Sequence, residues 1–152
     1  MKSILFAIIL MFLVSCNKDD DNCGCTIISL DANISLKNAA GKDLLDPNNP
    51  DSYKKNNIKI YHLINGEQKP AGLDDIIFQD SDSIYRYRTF VNYEGNDAFP
   101  ITYIDWSETD RDTIISEIYK TENQTRAIKI WFNNELMWDV ENGGDREFTI
   151  IK

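Results

Sequence analysis

Short apolar runs recur along the chain from residue 26 onward, and several of them alternate apolar with polar positions. Such alternation is typical of β-strands that bury one face. No long window shows the 3.6-residue apolar period of a helix. Asn, Asp, Gly and Pro bound eight such runs: 26–37, 58–64, 83–93, 101–106, 112–120, 126–132, 136–140 and 147–152. We therefore predict an all-β fold, a single β-sandwich of about eight strands with an immunoglobulin-like or Greek-key layout.

Two connections carry their own signal. Asn65-Gly66 directly follows the run 58–64 and is the strongest short hairpin signal. The segment 38–57 is too long for a tight turn and is rich in Asn, Asp and Pro, with one apolar pair at Leu44-Leu45. We interpret it as a surface crossover between sheets, with the leucines closing the sandwich edge. A binding loop is the alternative.

The last hairpin gives a test of register. Apolar residues share one phase on each of its strands: Ile128, Ile130 and Phe132, then Leu136, Trp138 and Val140. A two-residue turn at Asn133-Asn134 would set these two rows on opposite faces of the sheet. We therefore predict a three-residue connection, or a bulge beside Asn134, with Trp131 on the outer face.

The first fifteen residues have the layout of a secretory signal. Lys2 precedes an apolar run from Ile4 to Val14, and the small residue Ser15 closes it. This run is much shorter than the ~20 residues that a membrane-spanning helix needs.

The signal ends in Leu13-Val14-Ser15-Cys16, which resembles a bacterial lipobox. The resemblance implies that lipid is attached to Cys16 and that the chain is cut just before it. Two or more acyl chains hold a protein firmly at a membrane. We therefore expect a signal peptide over 1–15, an acidic tether over 16–25 and the sandwich over 26–152.

The tether begins with Asn17-Lys18 and three aspartates. A lysine and acidic residues after the lipidated cysteine resemble the export signal of small Bacteroidota-type outer-membrane lipoproteins. That resemblance implies display on the outer face of the outer membrane. A solvated linker on a protein that faces the periplasm is the alternative.

Cys23 and Cys25 flank a single glycine near the end of the tether. Thiols of exported proteins tend to be oxidised, but a disulfide between residues two apart is strained. Free thiols, a bond to another chain and a weak soft-metal site are alternatives. Two thiolates do not complete a zinc site, and His62 is distant in sequence. We interpret the cysteines as a disulfide or an inert pair, and we expect no metal or other cofactor.

The composition narrows the classes of partner. A hydrophobic content of 42% and an aromatic content of 11% argue against a disordered chain. The net charge of −9 makes the surface repel nucleic acid and anionic headgroups. We therefore expect no nucleic-acid partner, and we expect membrane contact through the lipid alone.

Motifs of catalysis are absent from the sequence. It contains no Gly-rich phosphate loop, no nucleophile elbow and no metal-binding His pair. We interpret His62, in a predicted strand, as a surface or packing residue. Carboxylate pairs such as Asp74-Asp75 would serve glycoside hydrolysis only at ~5–9 Å across a cleft.

Two tripeptides, Asp82-Ser83-Ile84 and Asp112-Thr113-Ile114, resemble the acceptor for O-glycosylation in Bacteroidota-type secreted proteins. The resemblance implies glycans on Ser83 and Thr113. Ordinary turn chemistry leading into a strand is the alternative.

These observations favour a non-enzymatic, lipid-anchored envelope protein that binds a protein or glycan partner. Flat rings stack on sugar faces, so Trp131, Trp106 and Tyr103 are the candidate contacts, with core packing as the alternative. The second hypothesis is a small envelope glycan hydrolase with paired carboxylates. The third is an adhesin or pilus-like subunit, which would need an unpaired sheet edge.

Overall fold

The computed structural model of the protein describes residues 26–71 and 76–152. This part of the chain forms eleven strands and two short 3-10 helices, at Lys55–Asn57 and Val140–Asn142. The strands are β1 (Ile27–Ser29), β2 (Asp31–Lys37), β3 (Lys59–Ile64), β4 (Glu67–Pro70), β5 (Ile76–Gln79), β6 (Tyr85–Phe90), β7 (Ile101–Ser107), β8 (Asp110–Lys120), β9 (Gln124–Phe132), β10 (Glu135–Asp139) and β11 (Glu147–Ile151).

The strands form two sheets that pack as a sandwich. The large sheet has seven strands in the order β1-β9-β8-β7-β3-β4, and β10 also pairs with β9. The small sheet has the order β11-β2-β6-β5. The predicted all-β sandwich is thus confirmed, whereas its immunoglobulin-like or Greek-key layout stays a prediction.

All eight predicted strands are present, and three differences raise the number to eleven. The run 26–37 divides at the fully buried Leu30, because β1 pairs with β9 while β2 pairs with β6 and β11 in the other sheet. The prediction also missed β4 and β5. Every residue of β4 is exposed, so its sequence carries no buried row that alternation could reveal.

The core lies between the inward faces of the two sheets. The alternation in β6 is confirmed there, since Tyr87, Thr89 and Val91 are buried. The buried hydrophobic residues are Leu30, Ala32, Ile34, Leu36, Leu44, Leu45, Ile60, Tyr87, Val91, Ile104, Trp106, Ile114, Ala127, Ile130, Phe132 and Phe148. The segment 38–57 is a crossover from β2 to β3, with both of its leucines in this core.

The Asn65-Gly66 hairpin is confirmed. Ile64 pairs with Glu67, and the two turn residues have φ of 53° and 82°. Positive φ at both positions defines the turn whose twist matches that of the flanking strands.

The prediction for the last hairpin was wrong about the loop. Asn133 and Asn134 form a two-residue turn, both with positive φ, and Phe132 pairs with Glu135. A register shift at Met137 then brings Trp138 opposite Ile130. The bulge corrects the register three residues after Asn134 rather than beside it.

The bulges change which residues face the core. Leu136, predicted to face inward, is 47% exposed, and Val140 is exposed as well. A second register shift, between β8 and β9, falls at Ile128, so that Ala127 is buried in its place. An extra residue in one strand reverses the alternation beyond it.

Candidate functional site

An apolar stripe crosses the outer face of the large sheet. Cross-strand partners follow one another directly from β3 to β10. The members of the stripe are Leu63, Ile101, Ile115, Trp131 and Leu136. Adjacent strands lie about 4.8 Å apart, so the stripe is roughly 19 Å long. The solvent face of an antiparallel sheet is ordinarily polar, and a contiguous apolar surface there marks a contact site.

The stripe is most accessible around Trp131. Phe99, from the loop before β7, packs edge-to-face on Trp131 with ring centroids 6.1 Å apart and is itself 54% exposed. Phe99, Ile115, Trp131 and Asn134 line a shallow pocket of about 290 Å³. We call these four residues and Leu136 the Trp131 patch. Its rings are apolar, and Asn134 supplies an amide at the rim.

A second row of side chains runs alongside the stripe on the same face. Tyr61, Tyr103 and Thr113 are direct partners across β3, β7 and β8. The Arg111 guanidinium lies 5.6 Å from the Tyr61 ring and 5.1 Å from the Tyr103 ring. It also binds both carboxylate oxygens of Asp105, at 2.5 and 2.9 Å.

This bidentate pair fixes charge at the edge of the tyrosine row. Its hydrogen bond raises the pKa of Arg111 and lowers the pKa of Asp105. Both groups therefore stay ionised at neutral pH. The aromatic surface is bounded by a fixed charged pair on this side.

The three predicted contact aromatics thus separate. Trp131 and Tyr103 lie on one outer face and are partly accessible. Trp106 is fully buried, with its ring 5.2 Å from that of Tyr87. It is not available to a ligand on the surface. A bulge in β7, between Asp105 and Ser107, accompanies its position in the core.

The two predicted acceptors for O-glycosylation have different surroundings. Ser83 is exposed in the turn between β5 and β6, with φ of 64°. Thr113 lies inside β8, not at the start of the strand as predicted, and is half-buried beside Tyr103. An enzyme that adds a sugar would reach Ser83 more readily than Thr113.

The structure brings one pair of carboxylates together that the sequence did not reveal. Lys152 Nζ lies 2.7 Å from Asp110 and 2.5 Å from Asp112. Asp112 also accepts hydrogen bonds from the Trp106 indole, at 2.6 Å, and from the Asn133 amide, at 2.8 Å. Tyr53 also donates to Asp110, so four side chains bind this pair of carboxylates. We call these six residues the Lys152 cluster, and its contacts are those of a structural anchor for the C-terminal strand.

The structure also shows the positions of other site residues that were predicted from the sequence. His62 is a buried packing residue, 2% exposed, with Nε2 3.4 Å from the Phe90 carbonyl. Among residues 26–71 and 76–152, no three His, Cys, Asp or Glu side chains form a group suited to a metal ion.

Several predicted features lie outside the described residues. These are the signal over 1–15 with Cys16, the tether with Cys23 and Cys25, and the pair Asp74-Asp75. In the described part of the chain, no helix has the length and apolar character to cross a bilayer.

Comparisons with protein families, with curated proteins and with solved structures find no match for this chain. The surfaces of the sandwich itself are therefore the features that bear on function.

Proposed function

We propose that the chain is a lipid-anchored envelope protein whose sandwich binds a glycan on the outer face of the large sheet. The anchor is Cys16, as its resemblance to a lipobox acceptor implies. The observation that carries the proposal is the apolar stripe with its accessible centre at the Trp131 patch. No hypothesis based on core packing accounts for a tryptophan and a phenylalanine stacked on a solvent face.

The shape of the patch favours a sugar over a protein partner. A stable protein interface buries about 800 Å² on each side, whereas the pocket has only four lining residues. Small-ligand sites combine apolar walls with a few polar groups that fix orientation. The Trp131 and Phe99 rings provide the walls, and the Asn134 amide provides a donor and an acceptor.

The two alternative functions receive less support. A glycan hydrolase needs two carboxylates across a cleft, but Asp110 and Asp112 are held by hydrogen bonds in the Lys152 cluster and do not face each other across one.

An adhesin subunit that exchanges strands needs a long free edge. The edge strands of the described sheets have only three to five residues, and β4 carries Glu67, Lys69 and Pro70. Short, charged edges are the kind that resist pairing with another chain.

A binding screen with matched variants tests the glycan site. Neutral oligosaccharides and envelope polysaccharides are titrated into the purified chain, with tryptophan fluorescence and calorimetry as readouts. Trp131→Ala should weaken binding by about tenfold or more, as for a central aromatic anchor. Trp131→Phe should retain part of the affinity, because it keeps a flat ring.

Ile151→Ala is the control, because Ile151 is a 62% exposed apolar residue on β11 of the small sheet, away from the stripe. Equal losses for Trp131→Ala and Ile151→Ala would contradict the proposal. So would a protein partner that binds the patch while every glycan fails. The anchor is tested separately by labelled palmitate, which should be incorporated by the native chain and not by Cys16→Ser.

A further inference from the structure

A cavity of about 550 Å³ lies apart from the Trp131 patch and forms a second candidate site. It lies where the chain passes from β1 in the large sheet to β2 in the small sheet, and residues of both sheets line it. Three arginines from different elements are among the residues that line this cavity: Arg88 of β6, Arg126 of β9 and Arg146 just before β11. In a chain of net charge −9, such a concentration of arginine needs an explanation.

Arg146 has a structural role that occupies its guanidinium. It donates to the Ser29 and Asp31 carbonyls, at 3.0 and 2.7 Å, and to the Asp31 carboxylate at 2.7 Å. Its guanidinium also lies 5.5 Å from the Trp138 ring. These contacts hold the crossover from β1 to β2 and form one wall of the cavity.

Arg88 and Arg126 differ from Arg146 because neither forms an ion pair with any residue that the structure describes. Arg88 donates through Nε to the Asn33 side chain at 3.0 Å and stacks on Phe78 at 4.7 Å. Arg126 stacks on Tyr119 at 5.2 Å. Its Nε is buried without a hydrogen-bond partner. A buried donor that stays unsatisfied destabilises the fold, and it is uncommon in native proteins.

The acids that line the cavity do not satisfy these arginines. Asp31 pairs with Arg146, and Glu147 pairs with Arg86 at 3.2 Å. Asp145 lines the cavity without an ion pair to the described residues. The unpaired charges are therefore two guanidinium groups and one carboxylate. This balance favours a ligand with a single negative charge over a dianion.

We propose that this cavity binds the carboxylate of a small ligand through Arg126 and Arg88. The planar fork of a guanidinium matches a carboxylate and holds it with two parallel hydrogen bonds. Stacking on Phe78 and Tyr119 restrains both guanidinium groups, and the Nη1 and Nη2 donors of each form no hydrogen bond to a described residue. The carboxylate belongs to an acidic sugar or to a peptide, and the same chemistry recognises both. This site is independent of the proposed glycan site, because the two surfaces share no residue.

The test compares simple probes on the purified whole chain. Sodium glucuronate and glucose differ in the carboxylate, N-acetylglycine represents a peptide carboxylate, and sulfate represents a dianion. Binding is followed by thermal shift and by the NMR signal of the Arg126 Nε–H. We expect glucuronate or N-acetylglycine to bind at up to millimolar concentrations and to shift that signal, while glucose does not. The stronger of the two identifies the source of the carboxylate.

Matched variants locate the binding. Arg126→Gln and Arg88→Gln should each weaken the binding of the carboxylate about tenfold, as expected for a charge-assisted hydrogen bond. Arg111→Gln is the control, since that arginine is paired with Asp105 on another face. If Arg126→Gln does not fold, Arg126→Lys keeps the charge and removes the fork, and it should also weaken binding. Equal binding of glucose, tighter binding of sulfate, no carboxylate binding at all, or an equal loss in Arg111→Gln would each overturn the proposal.

Discussion

The Lys152 cluster should contribute more to stability than any surface ion pair of this protein. Asp112 is 4% exposed and accepts from Lys152, Trp106 and Asn133. Because Trp106 is fully buried, water cannot replace Asp112 as the acceptor for its indole N–H. The perturbation we consider is Asp112→Asn, which preserves size and removes the charge.

The magnitude follows from the hydrogen bonds that change. The asparagine oxygen, in the place of Oδ2, accepts from Trp106 and Lys152 without the carboxylate charge, while its NH2 group meets the Asn133 amide donor instead of an acceptor. A hydrogen bond to a charged group contributes about 1.5–3 kcal/mol, and Lys152 keeps Asp110 as a partner. We therefore expect Asp112→Asn to lower the free energy of unfolding by about 3 kcal/mol. For a domain of this size, the melting temperature should fall by roughly 10 °C.

A double-mutant cycle separates the ion pair from the rest of the cluster. Lys152→Met keeps an apolar chain near Trp106 but removes the charged hydrogen bonds to Asp110 and Asp112, at a cost of about 2 kcal/mol. In the double variant the buried charges at Asp112 and Lys152 are both gone. It should therefore lose about 3 kcal/mol rather than the sum of about 5 kcal/mol.

Urea unfolding followed by tryptophan fluorescence measures the whole cycle. Glu117→Gln is the control, because its 3.9 Å pair with Lys129 is on the surface and should contribute less than about 1 kcal/mol. Additive losses for Asp112→Asn and Lys152→Met would refute the coupling. A loss below about 1 kcal/mol for Asp112→Asn would refute the structural role of the carboxylate.

Three further predictions concern single positions. Gly66→Ala should destabilise the fold by about 1 kcal/mol, because the φ of 82° is strained for alanine while no atom lies within 4 Å of the added Cβ. Thermal unfolding measures this loss, and an unchanged melting temperature would contradict it. Burial and the hydrogen bond to Asp110 raise the pKa of Tyr53, so its contribution is present below about pH 10 and lost as pH rises further. Urea unfolding across that range should show a decline in the native chain that Tyr53→Phe reduces, and parallel pH profiles would exclude the effect. If the chain is O-glycosylated, mass spectrometry of native material should find higher occupancy at Ser83 than at Thr113, and the reverse order would contradict the accessibility argument.

The parts of the fold that local pattern determines were predictable from the sequence. Three features were recognisable from a few neighbouring residues. They are the buried row of β6, the turn with positive φ at Asn65 and Gly66, and the buried leucine pair in a polar crossover. Strand β4 was not recognisable in this way, since it has no buried face. The bulges at Ile128 and Met137 reverse the alternation without any glycine or proline to mark them.

The candidate sites were less predictable, because they depend on register between distant strands. Ile101, Ile115 and Trp131 lie in separate alternating runs, and only pairing places them in one stripe. The Lys152 cluster extends over 99 positions from Tyr53 to Lys152, and both of these residues contact Asp110. The predicted register already put Trp131 on the outer face, whereas nothing in the sequence distinguished the buried Trp106 from an exposed aromatic, because its strand has two apolar phases.

The acidic composition and the arginine cavity lead to one consistent picture of selectivity. A field from a net charge of −9 acts on every charge of an approaching polyanion, so nucleic acid and anionic membrane surfaces are repelled many times over. A single carboxylate experiences that repulsion once, and salt at physiological strength screens it beyond about 8 Å. Within the cavity, contact with Arg88 and Arg126 is much less screened. In our proposal, the same charge that repels large anions leaves a small monoanion as the ligand class for Arg88 and Arg126, which form no ion pair with a described residue.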